Sequence, residues 1–284
     1  MAEPPEETGS RIRRILVLTD TSRAGRAALE AAAELAARQG AELVTLFVED
    51  ADILRVAGLP FAQEVGEVSG KAHPMDLRQL ERRLKGQAEE IRRFLRQLET
   101  RHPITWSLRI ARGRAESEAL AVATHDDLLV VGKRGWARLP HRRLGSTTRQ
   151  LLGQAHVSLM VYSQAQARGH PILVLFDDPE AGPRALALAS YIAPRPDHPL
   201  VLLLPPGTPE ATDRLHQAAA RSLNDQGLEA EIRQLSGDEV QALARTVRRE
   251  SPHALVMGHH SPLLTGTPGQ QLVEELDIPV VMAP

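Results

Sequence analysis

The residues best suited to chemistry lie in two short segments, each of which follows a strongly apolar stretch. The first is Asp20, Thr21 and Ser22, directly after ILVLT. The second, Gly132 to Leu152, reads GKRGWARLPHRRLGSTTRQLL. Glycines let a backbone approach an anion closely, and a helix start with hydroxyl side chains donates hydrogen bonds to it. The second segment therefore predicts phosphate binding.

The glycines of the second segment have a defined spacing. Two residues separate Gly132 from Gly135, and nine separate Gly135 from Gly145, which precedes Ser146. This pattern is neither the Walker A loop nor the dinucleotide-binding fingerprint, so the chemistry of those sites does not apply. Positive charge accompanies the loop at Lys133, Arg134, Arg138, Arg142 and Arg143.

A purely structural role stays open for each of these residues. Glycines between a strand and a helix commonly serve the turn alone. Asp20 by itself fits a helix N-cap as well as a ligand contact. The neighbouring His259 and His260 do not predict a metal site, because adjacent residues rarely point at one ion and no carboxylate lies at ligand spacing around them.

Composition excludes several classes of protein. The 34 Lys and Arg against 36 Asp and Glu give a formal net charge of -2, which disfavours nucleic acid as a partner. The chain has no cysteine, so disulfides and thiolate chemistry are excluded. Residues 1–11 contain no apolar stretch and the longest apolar runs are strand-sized, so we expect no signal peptide and no membrane span. These features favour a cytoplasmic protein.

The elements that position the two segments follow from an internal repeat. IRRILVLTD, which ends at Asp20, matches HPILVLFDD, in which Asp177 takes the same place. LLVVG, which ends at Gly132, matches ALVMG, which ends at Gly258. Apolar stretches alternate with helical ones in each half, which predicts strands and helices in turn, ending on a strand. Strands so rich in Val, Ile and Leu predict a parallel sheet with helices on both faces.

The predicted fold class is therefore α/β, with two tandem Rossmann-like domains, each a five-stranded parallel sheet flanked by helices. We expect a disordered tail at 1–10, a first domain at 11–164 and a second at 169–284, joined by the polar stretch QAQARG. Residues 49–70 are longer than an ordinary connection and predict either a lid or partner surface or, in the interpretation we prefer, a short helix packed back on the sheet.

The whole arrangement resembles the universal stress protein family. Its nucleotide-binding members carry Gly, two residues, Gly, nine residues, Gly and then Ser or Thr, a spacing that Gly132, Gly135, Gly145 and Ser146 reproduce. They also carry an Asp after the first strand, as Asp20 does here. The resemblance extends over both halves and implies a tandem member with the adenine nucleotide alpha hydrolase-like form of the fold.

The resemblance implies that ATP, with Mg²⁺, binds in the first half. Asp20 and the backbone around Val48 would hold the adenine end, and the loop from Gly132 to Gly135 would run beside ribose and phosphate. The phosphates themselves would bind to Gly145, Ser146 and Thr147. The resemblance implies no catalytic residue. The candidate binding residues are Asp20, Thr21, Val48, Gly132, Lys133, Arg134, Gly135, Gly145, Ser146 and Thr147.

The second half departs from this pattern. Its loop after ALVMG is five residues shorter, Ser261 replaces the second glycine, and Pro268 follows Gly266 and Thr267. We therefore expect its motif to be degenerate and its site to be weak or empty.

The predicted function is that of an ATP-binding stress protein that regulates an unidentified protein partner according to nucleotide occupancy. The resemblance implies that the two halves pair as an intramolecular pseudo-dimer, with 157–162 against 278–282, and a further homodimer stays open. Two alternatives also stay open: a slow ATP hydrolase, although no base is evident after the phosphate loop, and an interaction scaffold that binds no nucleotide.

Overall fold

Strands and helices alternate along both halves of the chain. The computed structural model describes residues 12–65, 70, 72–134, 144–163, 170–264 and 266–284. The first half comprises β1 (Arg14–Leu18), α1 (Arg23–Gln39), β2 (Glu42–Asp50), α2 (Ala51–Ala57), β3 (Gln63–Val65), β4 (Ala72–Pro74), α3 (Leu77–Glu99), β5 (Trp106–Gly113), α4 (Ala115–Val122), β6 (Asp127–Gly132), α5 (Ser146–Gln154) and β7 (Ser158–Tyr162). The second half comprises β8 (Ile172–Leu175), α6 (Gly182–Ile192), β9 (Leu200–Leu204), α7 (Pro209–Gln226), β10 (Glu231–Gln234), α8 (Glu239–Glu250), β11 (Ala254–Gly258), a 3-10 turn (Pro262–Leu264), α9 (Gly266–Glu275) and β12 (Val280–Ala283).

The strands of the two halves form one ten-stranded sheet in the order β10-β9-β8-β11-β12-β7-β6-β1-β2-β5. Within each half all neighbours are parallel, which confirms the predicted α/β fold with two five-stranded parallel units. The halves join through an antiparallel pair, β7 with β12, in which Met160 lies opposite Val281. The expected pairing of the last strands is therefore present, and it makes the combined sheet mixed.

Helices cover both faces of this sheet. Helices α1, α3, α6 and α7 pack on one face and α4, α5, α8 and α9 on the other, and each apolar layer contains residues of both halves. Leu16 and Leu173, for example, belong to the same layer although they come from different halves. The inner strands, such as β1, β6, β8 and β11, are buried on both faces, which explains their continuous apolar sequences. None of the helices among the described residues combines the length and apolar character needed to cross a lipid bilayer.

Capping residues determine where the helices begin and end. Ser22 starts α1, since its hydroxyl accepts a hydrogen bond from the Gly25 amide at 3.0 Å. Gly40 ends the same helix with φ of 64°, a left-handed conformation that glycine adopts without strain. The loop after β1 is consequently short and held close to the end of its strand.

The insertion after β2 contains α2 and a hairpin of β3 and β4. The expected short helix is present, and it packs against the start of α3 through Leu54, Ala57 and Leu80. The hairpin was not predicted, because its strands are only three residues long and fully exposed, so they carry no alternation of apolar and polar residues. Among the described residues of the insertion, Phe61 and Val65 have the most exposed large apolar side chains.

Candidate functional site

A cavity of about 470 Å³ opens where β1, β2 and β6 end. Strand β1 lies between β2 and β6. Strands β2 and β5 extend the sheet on one side of β1, and β6 and β7 extend it on the other. Ligands of open parallel sheets bind at such a reversal of strand order, outside the carboxyl ends of the strands. The volume lies in the range of sites for small molecules and cofactors.

Seven of the ten candidate binding residues line this cavity. They are Asp20, Val48, Gly132, Arg134, Gly145, Ser146 and Thr147. The topology thus brings together residues that are up to 127 positions apart in the sequence, from Asp20 to Thr147.

The other three candidates lie elsewhere. Thr21 turns toward α3, where its hydroxyl accepts a hydrogen bond from the Gln87 amide at 3.5 Å. Lys133 is 4% exposed, and its ammonium donates to the Leu276 carbonyl in the second half at 2.6 Å. Gly135 lies outside the described residues. Among the described residues, Lys133 therefore serves the contact between the halves.

Asp20 is held in place by its own turn. Its carboxylate accepts a hydrogen bond from the Ser22 amide at 3.0 Å. A Cβ on Gly25 would lie 2.8 Å from the Asp20 carbonyl oxygen, closer than real Cβ contacts allow. Glycine at 25 therefore lets α1 begin directly behind Asp20, and Gly25 also lines the cavity.

The start of α5 forms the opposite wall. Its N-cap is Gly145, which has no side chain to accept a hydrogen bond, and its first turn contains no acidic residue. The amides and the positive end of the helix dipole at Ser146 and Thr147 are therefore well suited to an anion. Thr148 fixes this wall, because its buried hydroxyl donates to the Gly132 carbonyl at 3.0 Å.

Charge differs between the two sides of the cavity. Asp20 and Asp50 lie at the ends of β1 and β2, whereas Arg134 and Arg149 lie beside the start of α5. Leu18, Phe47, Val48, Ala115 and Val131 add apolar wall between them. One side therefore suits a flat apolar group with hydrogen-bond donors, and the other suits phosphate.

Sequence reasoning missed Phe47, Asp50 and Arg149 as lining residues. Arg149 was within the quoted loop segment, one helical turn beyond Gly145, so helical periodicity could have placed it on the same side as Ser146. Asp50 lies two residues after the predicted second strand, which ends at Val48, and its closeness to that carboxyl end could have indicated it.

Residues 11–163 match the model of the universal stress protein family, which is more than half of the chain. The chain belongs to the universal stress protein family. No curated protein matches it significantly in sequence.

Solved structures of similar fold match nearly the whole length of this chain. A universal stress protein from Archaeoglobus fulgidus DSM 4304 matches with a TM-score of 0.70 at 17% identity, over 96% of this chain and 98% of that one. A functionally unknown protein from Pseudomonas aeruginosa PAO1 matches with 0.63 at 17% identity, over 96% and 93%. A putative universal stress protein from Pseudomonas aeruginosa UCBPP-PA14 gives 0.60 at 18% identity, over 96% and 94%. At these identities the likeness shows the shared fold of the whole chain.

The second half of this universal stress protein has a different arrangement at the matching place. The Ser261 hydroxyl donates a hydrogen bond to the Asp177 carboxylate, and Ser261 is 3% exposed. Phe176 is fully buried against Gly182, where Gly25 of the first half borders the cavity instead. Burial raises the pKa of Asp177, and the hydrogen bond from Ser261 only partly offsets this. The counterpart of Asp20 is thus engaged inside the protein.

Proposed function

We propose that this protein binds an adenine nucleotide, ATP with Mg²⁺, in the cavity of its first half and acts in the cytoplasm as a nucleotide-responsive regulator in the stress response. The observation that carries the proposal is the cavity itself, in which the glycine-capped start of α5 faces Asp20 and the end of β2. Membership of the universal stress protein family supports the role in stress.

The cavity offers a place for each part of the nucleotide. The adenine would lie between Asp20 and the Val48 backbone, against the apolar wall. The phosphates would accept hydrogen bonds from Ser146 and Thr147 and face Arg134. The described residues contain no group of three or more His, Asp or Glu that would hold a metal ion by itself, so Mg²⁺ would arrive with the phosphates.

Asp50 connects the cavity to the insertion. Its carboxylate accepts hydrogen bonds from the Asp52 amide at 2.8 Å and the Ile53 amide at 3.2 Å, and so caps α2. A ligand shifts a conformational equilibrium only if its affinity differs between the two states. In the proposed regulator, a ligand in the cavity favours one of two conformations of Asp50 and α2. Binding of the protein partner depends on which of these conformations is present.

The test compares two substitutions in α5. Gly145→Val places a side chain on the cavity wall, whereas Gly153→Val lies in the same helix where an added Cβ meets nothing. Binding of ATP, ADP, AMP and adenosine is measured by competition against a fluorescent adenine nucleotide. We expect Gly145→Val to weaken ATP binding about tenfold or more, a loss of about 1.4 kcal/mol, and Gly153→Val to leave it unchanged.

Failure of the unmodified protein to bind any of these compounds would refute the proposal and favour an interaction scaffold. Equal loss in both variants would show that the effect is structural. Sustained release of ADP, abolished by Gly145→Val, would instead assign a slow hydrolase to the same cavity.

A further inference from the structure

The end of α9, in the second half, contacts the first-half site on both sides of the loop between β6 and α5. On one side the Lys133 ammonium donates to the Leu276 carbonyl at 2.6 Å and lies 3.8 Å from the Asp277 carboxylate. On the other side the Glu274 carboxylate lies 3.4 Å from the Leu144 amide and 3.2 Å from the Arg149 guanidinium. Glu274, Leu276 and Asp277, at and just after the end of α9, therefore connect the second half to the cavity wall.

Arg149 is the residue through which this contact reaches the ligand. It lines the cavity and lies in the first turns of α5, where the helix dipole disfavours a positive charge. Glu274 supplies the compensating negative charge from the second half. The Arg149 side chain is 45% exposed and that of Glu274 is 23% exposed, so their ion pair is screened by water and weak enough to be exchanged.

We infer that Glu274 competes with the phosphates of the bound ligand for Arg149, so that the second half sets the affinity of the first-half cavity for phosphate. This inference rests on the proposed nucleotide binding. A guanidinium donates two parallel hydrogen bonds to a phosphate group. A nucleotide has the phosphate oxygens that accept them, and a nucleoside does not. Glu274 is thus a positioning residue that acts through Arg149, and Lys133 holds the end of β6 to the second half.

The contact between the halves is reciprocal. His259 of the second half follows β11 as Lys133 follows β6, and its half-buried ring lies near the Leu152 carbonyl of α5. Helix α5 therefore meets the second half at Arg149 and near Leu152, and a change in how Glu274 holds Arg149 alters the charge at the cavity wall.

The test is the substitution Glu274→Gln, which removes the charge and keeps the shape and the acceptor for the Leu144 amide. The matched control is Glu275→Gln on the same helix, where the lost partner is Arg248 at 3.3 Å, outside the cavity lining. ATP and adenosine dissociation constants are measured at low and at high salt. We expect Glu274→Gln to bind ATP about two- to fivefold more tightly at low salt, a range set by exposed ion pairs, with adenosine unchanged and the gain reduced at high salt.

A second arm uses Arg149→Gln, which should weaken ATP binding and remove the effect of Glu274→Gln in the double variant. Unchanged or weaker ATP binding by Glu274→Gln, or the same gain in Glu275→Gln, would overturn the inference while leaving nucleotide binding intact. If the unmodified protein shows no ATP binding above the buffer control, the proposed function and the inference both fail. Failure of the inference alone leaves ATP binding by the unmodified protein intact, so the two results are distinguishable.

Discussion

At the scale of single residues, two aspartates with the same place in the repeat have different surroundings. Asp20 borders a cavity and accepts a hydrogen bond from its own turn. Asp177 accepts a hydrogen bond from the buried Ser261, and burial raises its pKa. Glu239 lies near it, and burial, followed by the charges of Asp177 and Asp238, raises the pKa of Glu239 too. The second-half carboxylate is therefore ionised at a cost.

This cost predicts that Asp177→Asn stabilises the protein at neutral pH. A carboxyl whose folded pKa exceeds its unfolded pKa adds stability below the unfolded value and loses it as pH rises through the folded value. Asparagine still accepts from Ser261 but carries no charge. The melting temperature of Asp177→Asn should therefore exceed that of the unmodified protein at about pH 7. The difference in melting temperature should narrow as the pH falls toward about 3.8, the ordinary pKa of Asp.

Asp197→Asn is the control, since its side chain is 81% exposed in an ion pair with Arg195 and should change the melting temperature little at any pH. An Asp177→Asn variant that melts lower than the unmodified protein at neutral pH would show that the carboxylate is needed, for a bound cation or for another partner.

Most of the candidate residues line the cavity, because glycine spacing and strand ends are local features of the sequence. The sequence could not place Lys133, since the direction of a side chain after a strand depends on what packs opposite. Here that is the end of α9, 143 residues away from Lys133 at Leu276. The ion pair of Arg149 was not predictable for a related reason, because its partner Glu274 belongs to the other half.

At the scale of elements, α2 depends on one cap. Asp50 ends β2, borders the cavity and accepts from the first amides of α2. The helix has only seven residues and buries Leu54 and Ala57, so little else holds its start. Short helices gain stability mainly from such caps and from packing.

Asp50→Ala should therefore destabilise α2 by about 1 kcal/mol, the usual value of an N-cap, whereas Asp50→Asn should retain the cap. Hydrogen exchange of the amides at 52–57 measures this, with faster exchange expected in the alanine variant alone. Equal exchange in all three proteins would mean that packing against α3, and not the cap, holds the helix.

The order of elements was predictable because apolar strands and amphipathic helices leave strong periodic signals. The hairpin β3–β4 left none, since all six of its residues are exposed. The length of the connection after β2 therefore predicted that an insertion is present, but the sequence did not predict that the insertion contains a hairpin.

At the scale of the whole molecule, the sheet and both apolar layers continue from one half into the other. Met160, 8% exposed, and Val281, fully buried, lie opposite each other where β7 and β12 meet. The repeat and the family resemblance predicted this pairing. The contacts of α9 with the loop before α5 were not predictable, because they depend on the angle at which the two units join.

A charge at this junction should weaken both halves. Met160→Glu buries an unpaired carboxylate and should lower the free energy of unfolding by about 3 kcal/mol or more. Ile110→Glu is the control, because Ile110 is 48% exposed on the edge strand β5. Hydrogen exchange should show that β1 and β8 lose protection together in Met160→Glu. Loss confined to the first half would contradict a shared core.

The most direct test of the account is calorimetric titration of the nucleotide-stripped protein with Mg-ATP. The account predicts one binding event per chain, weakened about tenfold or more in Gly145→Val and unchanged in Asp177→Asn, because the first-half cavity is open to a ligand whereas Asp177 is engaged by Ser261. Two events per chain, or a single event lost in Asp177→Asn and kept in Gly145→Val, would place the nucleotide in the second half and contradict it.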